Sequence, residues 1–158
     1  MVSIRDGHTI KKYIVCGNPS GKVNIIEHGT KVVYKELPID LMQCSMVHGS
    51  HLFIGAGSKV YLVDLDRDFE IISHCSFSRQ VFSICPMTPT KFIIGQQAGF
   101  LGLAELKNDG TLVKEAETKV TSAIFKVIMT SSDEIALACS GGLYFANYDA
   151  QRKRFIVS

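Results

Sequence analysis

A chain of 158 residues with 46% hydrophobic and 20% charged residues can bury a core of ordinary domain size and is too apolar to stay disordered. A formal net charge of +2 supplies no global field for nucleic acid or an acidic membrane, and the one basic run, Arg152-Lys153-Arg154, is the size of a solvated strand edge. Five widely spaced cysteines (Cys16, Cys44, Cys75, Cys85, Cys139) form no Cys-x-x-Cys pair, no signal peptide opens the chain, and no apolar stretch reaches the roughly 20 residues of a membrane span, which together predict a cytoplasmic, reducing-compartment protein.

Taken in chain order, the sequence reads as four similar units. The first, over 2–37, opens with the strand Val2-Ser3-Ile4 and turns at Gly7-His8. Its second strand, Tyr13-Ile14-Val15-Cys16, is closed by Gly17, and Ser20-Gly21 turns it into a third at Lys22-Val23-Asn24-Ile25-Ile26. An outer strand follows at Lys31-Val32-Val33-Tyr34. The second unit, over 41–75, repeats this with strands at 43–47, Leu52-Phe53-Ile54 closed by Gly55, Val60-Tyr61-Leu62-Val63, and 69–72. The third, over 80–114, has Val81-Phe82-Ser83-Ile84, Phe92-Ile93-Ile94 closed by Gly95, a strand from Phe100 after Ala98-Gly99, and Thr111-Leu112-Val113-Lys114. The fourth, over 121–157, has strands at 123–127, Ala136-Leu137-Ala138, Leu143-Tyr144-Phe145 after Ser140-Gly141-Gly142, and Arg154-Phe155-Ile156-Val157.

Runs of about four residues rich in Val, Ile, Phe and Tyr favour strands over buried helix. The best helical candidate, 120–129, carries Thr121, Ile124, Val127 and Ile128 and suits a strand as well, so essentially no helix is expected. The residues closing the second strands (Gly17, Gly55, Gly95 and, in the fourth unit, Ala138) follow one another at intervals of 38, 40 and 43. Each is followed by the same small-residue turn and strand. A period of about 40 with several strands per unit is the mark of propeller blades. The expected class is therefore all-β, with four blades of four antiparallel strands; a sandwich or single barrel, which needs no such in-phase repeat, ranks second.

The stretch Ile4-Arg5-Asp6-Gly7-His8, with Tyr13-Ile14-Val15-Cys16-Gly17 and Ser20-Gly21-Lys22-Val23-Asn24-Ile25-Ile26, resembles the WD-repeat propeller family, as does Ser83-Ile84-Cys85-Pro86 leading to Phe92-Ile93-Ile94-Gly95. The chain has no tryptophan, so Val63-Asp64 and Tyr148-Asp149 are the nearest equivalents of the family's Trp-Asp ending, and its His–Ser–Asp–Trp tetrad cannot form. The resemblance implies a non-catalytic scaffold that binds protein partners, with no cofactor and neither nucleic acid nor membrane as partner. It also implies docking on the loops that join the fourth strand to the next blade and the second strand to the third. Those loops hold Asn18, Pro19, Phe77, Arg79, Gln80, Gln96, Gln97 and Lys119. Phe and Arg dominate binding hot spots when exposed, while a Phe in such a loop is equally suited to tucking between blades. Blades of this size resemble those that close in sevens or eights. Four of them are expected to belong to a larger protein, to pair with a second copy as a homodimer completing the ring, or to close tightly on their own.

Other groupings read as structural. Cys44, His48 and His51 have the chemistry of partial zinc ligation but no fourth ligand close in sequence. His74-Cys75 are neighbours on a strand and point to opposite faces. Asp64, Asp66 and Asp68 lack the glycine and glutamate of a calcium loop. The glycines of 95–99 and 140–142 precede no helix and serve hairpin turns rather than phosphate binding. An enzyme or small-ligand binder using the central channel is the alternative function; it needs carboxylates or histidines at the starts of the inner strands, which instead read Val2, Gln43, Val81 and Ala123.

Overall fold

The computed structural model describes the backbone of residues 2–6, 9–17, 21–30 and 32–158, and side chains within those ranges from Tyr13 onward. The Gly7-His8 turn, Ser20 and Lys31 lie outside the described residues. Four antiparallel sheets follow one another along the chain, each built from four consecutive strands in order. Sheet 1 holds β1 (Val2–Asp6), β2 (Thr9–Cys16), β3 (Lys22–Glu27) and β4 (Val33–Asp40). Sheet 2 holds β5 (Met42–His48), β6 (His51–Ala56), β7 (Lys59–Asp64) and β8 (Glu70–Ser76). Sheet 3 holds β9 (Val81–Pro86), β10 (Lys91–Gln96), β11 (Phe100–Leu106) and β12 (Leu112–Lys119). Sheet 4 holds β13 (Ile124–Met129), β14 (Ile135–Cys139), β15 (Gly142–Asp149) and β16 (Arg154–Val157). The fold is all-β with propeller-like blades, as the repeat predicts. Among the described residues its helical elements are single 3-10 turns at Leu65–Arg67 and Gln97–Gly99, and no helix is long and apolar enough to cross a membrane.

The outer strands are where the sequence misleads. Those expected over 31–34, 69–72 and 111–114 run instead as Val33–Asp40, Glu70–Ser76 and Leu112–Lys119. Their second halves are polar because one face meets solvent, so a search for apolar runs stops too early. Each also carries a bulge in the same phase: Tyr34, Ile72 and Glu115 are the extra residues opposite β3, β7 and β11. A bulge shifts the alternation by one residue and hides the period of two. The first strands bulge as well, at Gln43, Phe82 and Phe125, again in equivalent places.

Hydrophobic side chains gather into three clusters, each in the seam between successive sheets. Tyr13, Val23, Ile25 and Leu37 of sheet 1 meet Leu52, Ile54 and Val63 of sheet 2. Phe53, Val60 and Leu62 of sheet 2 meet Val81, Phe92 and Ile94 of sheet 3. Ile93, Leu101 and Leu103 of sheet 3 meet Ile124, Leu137 and Phe155 of sheet 4. Strands β6 and β10 supply both sides, Leu52 and Ile54 one way and Phe53 the other, then Phe92 and Ile94 one way and Ile93 the other. That two-sided burial is why they read as unbroken apolar runs. Each such side chain, taken fully from water, contributes about 1.5–3 kcal/mol.

The period of the closing glycines has a steric cause. A Cβ on Gly17 would stand 2.9 Å from Met42 Cβ, one on Gly55 2.8 Å from Val81 Cγ1, and one on Gly95 2.8 Å from Val127 Cγ2 and 2.9 Å from Ile124 Cγ2. In every seam the glycine is a slot that receives a bulky side chain from the first strand of the next sheet. First strands accordingly lie beside one another, β5 against β9 and β9 against β13. The bulge aromatics Phe82 and Phe125 stack across that second contact, ring centres 5.9 Å apart.

Candidate protein-contact surface

The turns between second and third strands meet the entries to the first strands through a repeated backbone bond. The amides of Gly57, Gln97 and Ser140 donate to the carbonyls of Leu41, Gln80 and Ala123, at 3.2, 2.9 and 2.9 Å. In sheet 3 the turn is pressed tightly onto the following connection: Val120 donates its amide to the Gly99 carbonyl at 2.8 Å. Gly99 has φ +80°, and a Cβ there would overlap the Thr121 carbonyl, so only glycine fits. One end of the blades thus collects residues 77–80, 96–100 and 117–121.

Gln96 organises this end. It is 0% exposed, and both ends of its amide are satisfied. The Arg79 backbone amide donates to its Oε1 at 3.0 Å, and its Nε2 donates to Glu117 Oε2 at 3.0 Å. Glu117 also accepts from the Ser78 amide at 3.0 Å and from the Ser78 hydroxyl, while Lys114 Nζ lies 3.8 Å from its Oε1. Burial pushes the Glu117 carboxyl up, but the bonds from Ser78 and Gln96, with the Lys114 charge, outweigh it and hold the group below the usual carboxylate range. Two side chains from sheet 3 therefore fix the backbone of the loop arriving from sheet 2. Above this anchor the exposed Arg79 guanidinium lies over the Phe100 ring, 5.5 Å from its centre.

Of the residues expected to contact a partner, Arg79, Gln80, Gln96, Gln97 and Lys119 are brought together here. Arg79, Gln97 and Lys119 are exposed and Gln80 is half-buried. Two are corrected. Phe77 is only 6% exposed, because its ring fills the space left by Gly102 in the seam between sheets 2 and 3. Gln96 is buried as the loop anchor. Asn18, with Pro19, lies outside the described residues.

Sequence reading missed Ser78, Glu117 and Phe100. Ser78 and Glu117 are 39 residues apart, one repeat length. The spacing was the available signal, since side chains in adjacent blades meet at that separation. The remaining groupings have structural partners. Cys44 faces Gly55 and Val81 in the second seam, and burial pushes its thiol up to about 11. His48 and His51 pair across the β5–β6 hairpin, His48 edge-on to Phe92 at 5.2 Å. Cys75 is buried, with its thiol pushed up to about 12, while His74 is exposed against Tyr61. Asp64 caps the 3-10 turn by accepting from the Asp66 amide at 2.9 Å, and Asp68 accepts from the Tyr34 hydroxyl. Among the described residues, no three His, Cys, Asp or Glu side chains gather at metal-binding distance. Compared with models of protein families and with curated proteins, the chain matches none.

Proposed function

We propose that this chain is a non-catalytic protein-interaction scaffold of the WD-repeat propeller type, and that partners dock on the loop end centred on Arg79. The observation that carries the reading is the anchor beneath that end: buried Gln96 and hydrogen-bonded Glu117 fix the loop backbone while Arg79, Gln97 and Lys119 stay exposed. A surface ordered in advance loses less entropy on binding, and arginine stacked on an aromatic ring is a frequent hot-spot residue. The partner face is a protein surface offering carboxylates or carbonyls to Arg79 and Lys119. Five unpaired cysteines support a reducing, cytoplasmic setting.

The test is affinity capture from a cell lysate with the whole chain as bait, comparing wild type with Arg79→Ala plus Lys119→Ala. Loss of specific partners by the double variant, with an unchanged strand signal in circular dichroism, is the expected result. An identical set of captured proteins would move the contact away from this end. Phe77 is unsuitable for this test, because truncating it opens the seam between sheets 2 and 3.

A further inference from the structure

Two turns at the end of the blades opposite Arg79 open with the same pair of residues. Met87-Thr88 enters the turn between β9 and β10, and Met129-Thr130 the turn between β13 and β14. In the first, the Met87 amide donates to the Lys91 carbonyl at 2.9 Å, and the Thr88 hydroxyl accepts from the Thr90 and Lys91 amides at 3.3 and 3.0 Å. In the second, the Thr130 amide donates to the Glu134 carbonyl at 2.9 Å, and the Ser131 hydroxyl accepts from the Asp133 and Glu134 amides at 3.3 and 3.1 Å. Hydroxyl bonds of this local kind satisfy a turn from within. Each turn is held by its own residues, and a cleft of about 300 Å³ remains between them, in the seam of sheets 3 and 4.

The cleft has apolar walls and an acceptor rim. Met87, Met129 and the buried Ile135 form the walls beside the Tyr148 ring, which packs on Phe155 with ring centres 5.0 Å apart. On the rim, Asn147 donates its Nδ2 to the Asp133 carbonyl at 2.7 Å, which leaves its Oδ1 to accept and sets it beside Asp133. The exposed Asp133 carboxylate has no hydrogen-bond or ion-pair partner among the described residues. No lysine or arginine lines the cleft. Lys91 of the first turn is engaged by Glu115 at 3.1 Å, and Arg152 by Asp149 at 3.7 Å.

We infer that this cleft receives an arginine side chain of a partner peptide. Its aliphatic stem lies against Met87, Met129 and Ile135, and its guanidinium meets the Asp133 carboxylate, Asn147 Oδ1 and the Tyr148 ring. A positive charge answers the unpartnered carboxylate, and an apolar stem answers the methionines. A planar fork of donors suits neighbouring acceptors beside an aromatic ring. The volume stands at the lower end of the range for ligand clefts, about 300–1,000 Å³, and gives room for a single long side chain. The site is at the other end of the blades from the Arg79 surface and does not depend on that reading.

The experiment is a titration of the whole chain, with isotope-labelled methionine methyl groups, by N-acetyl-arginine amide. N-acetyl-citrulline amide, which has nearly the same shape and no charge, is titrated in parallel. The Met87 and Met129 resonances, assigned by Met87→Leu and Met129→Leu, should shift with the arginine compound and stay in place with the citrulline one. Met42 and Met46, in sheet 2, should respond to neither. Asp133→Asn changes an exposed side chain and should weaken the interaction about tenfold with an unchanged strand signal. If that variant alters the strand signal, Ser132→Lys replaces it, setting a competing cation on the rim, and should abolish the shifts. An equal response to both compounds, silence of Met87 and Met129, or undiminished binding by the rim variant would each overturn the inference.

Discussion

Sheets 3 and 4 present the same hairpin in two different environments. Leu101 and Leu143 are the same residue type, in the same strand of the blade, opposite the same slot position, yet one is 0% and the other 66% exposed. Their slots differ in step. Gly95 has no room for a Cβ because Ile124 and Val127 seat against it, whereas the exposed Ala138 carries one. What a strand residue contributes is therefore set by the neighbouring sheet more than by its own strand.

The comparison can be broken most sharply by truncating the two leucines. Leu101→Ala should cost about 2–5 kcal/mol in urea unfolding, as buried leucines do. Leu143→Ala should stay within about 0.5 kcal/mol. Equal losses would show that the face of sheet 4 is covered within the chain. The slots give the next largest effect. Gly95→Ala forces a methyl into Val127 and Ile124 and should cost about 1–3 kcal/mol, with Val127→Ala recovering part of it. The reciprocal Ala138→Gly should cost about 1 kcal/mol or less, an effect of backbone freedom alone.

A separate test concerns the loop anchor that joins sheets 2 and 3. Glu117→Gln should lower stability by about 1–2 kcal/mol near neutral pH, by replacing charge-assisted bonds with neutral ones. Because the folded chain holds this carboxyl below its ordinary value of 4.5, the stabilisation is complete above that value. It is lost as the pH falls through the lower folded value. The difference between wild type and variant should therefore shrink in acid, and a difference independent of pH would show that the charge of Glu117 does not hold the loop.

Much of the fold was legible because the blade repeat writes itself as spacing. A small residue every 38 to 43 residues (Gly17, Gly55, Gly95, then Ala138), each before the same turn, specified four units of four strands. The outer strands were less legible, since the bulges at Tyr34, Ile72 and Glu115 break their alternation. The proposed contact surface was half legible. Loop position picked out Arg79, Gln97 and Lys119, but burial could not be read from the loop itself: Phe77 turns inward because Gly102, 25 residues later in the chain, leaves space for its ring.

By itself the sequence determined what is local and periodic: strand length, turn position, the phase of the slots, and the absence of carboxylates from three of the first strands. Tertiary structure alone decided which members of each equivalent set are buried, that Gln96 is buried and anchors the loop, and that Ser78 finds Glu117 one blade away. The reason is physical. Strand and turn preferences act over a few neighbouring residues, whereas burial and hydrogen-bond partners depend on the adjacent sheet, which the chain reaches only after a whole repeat.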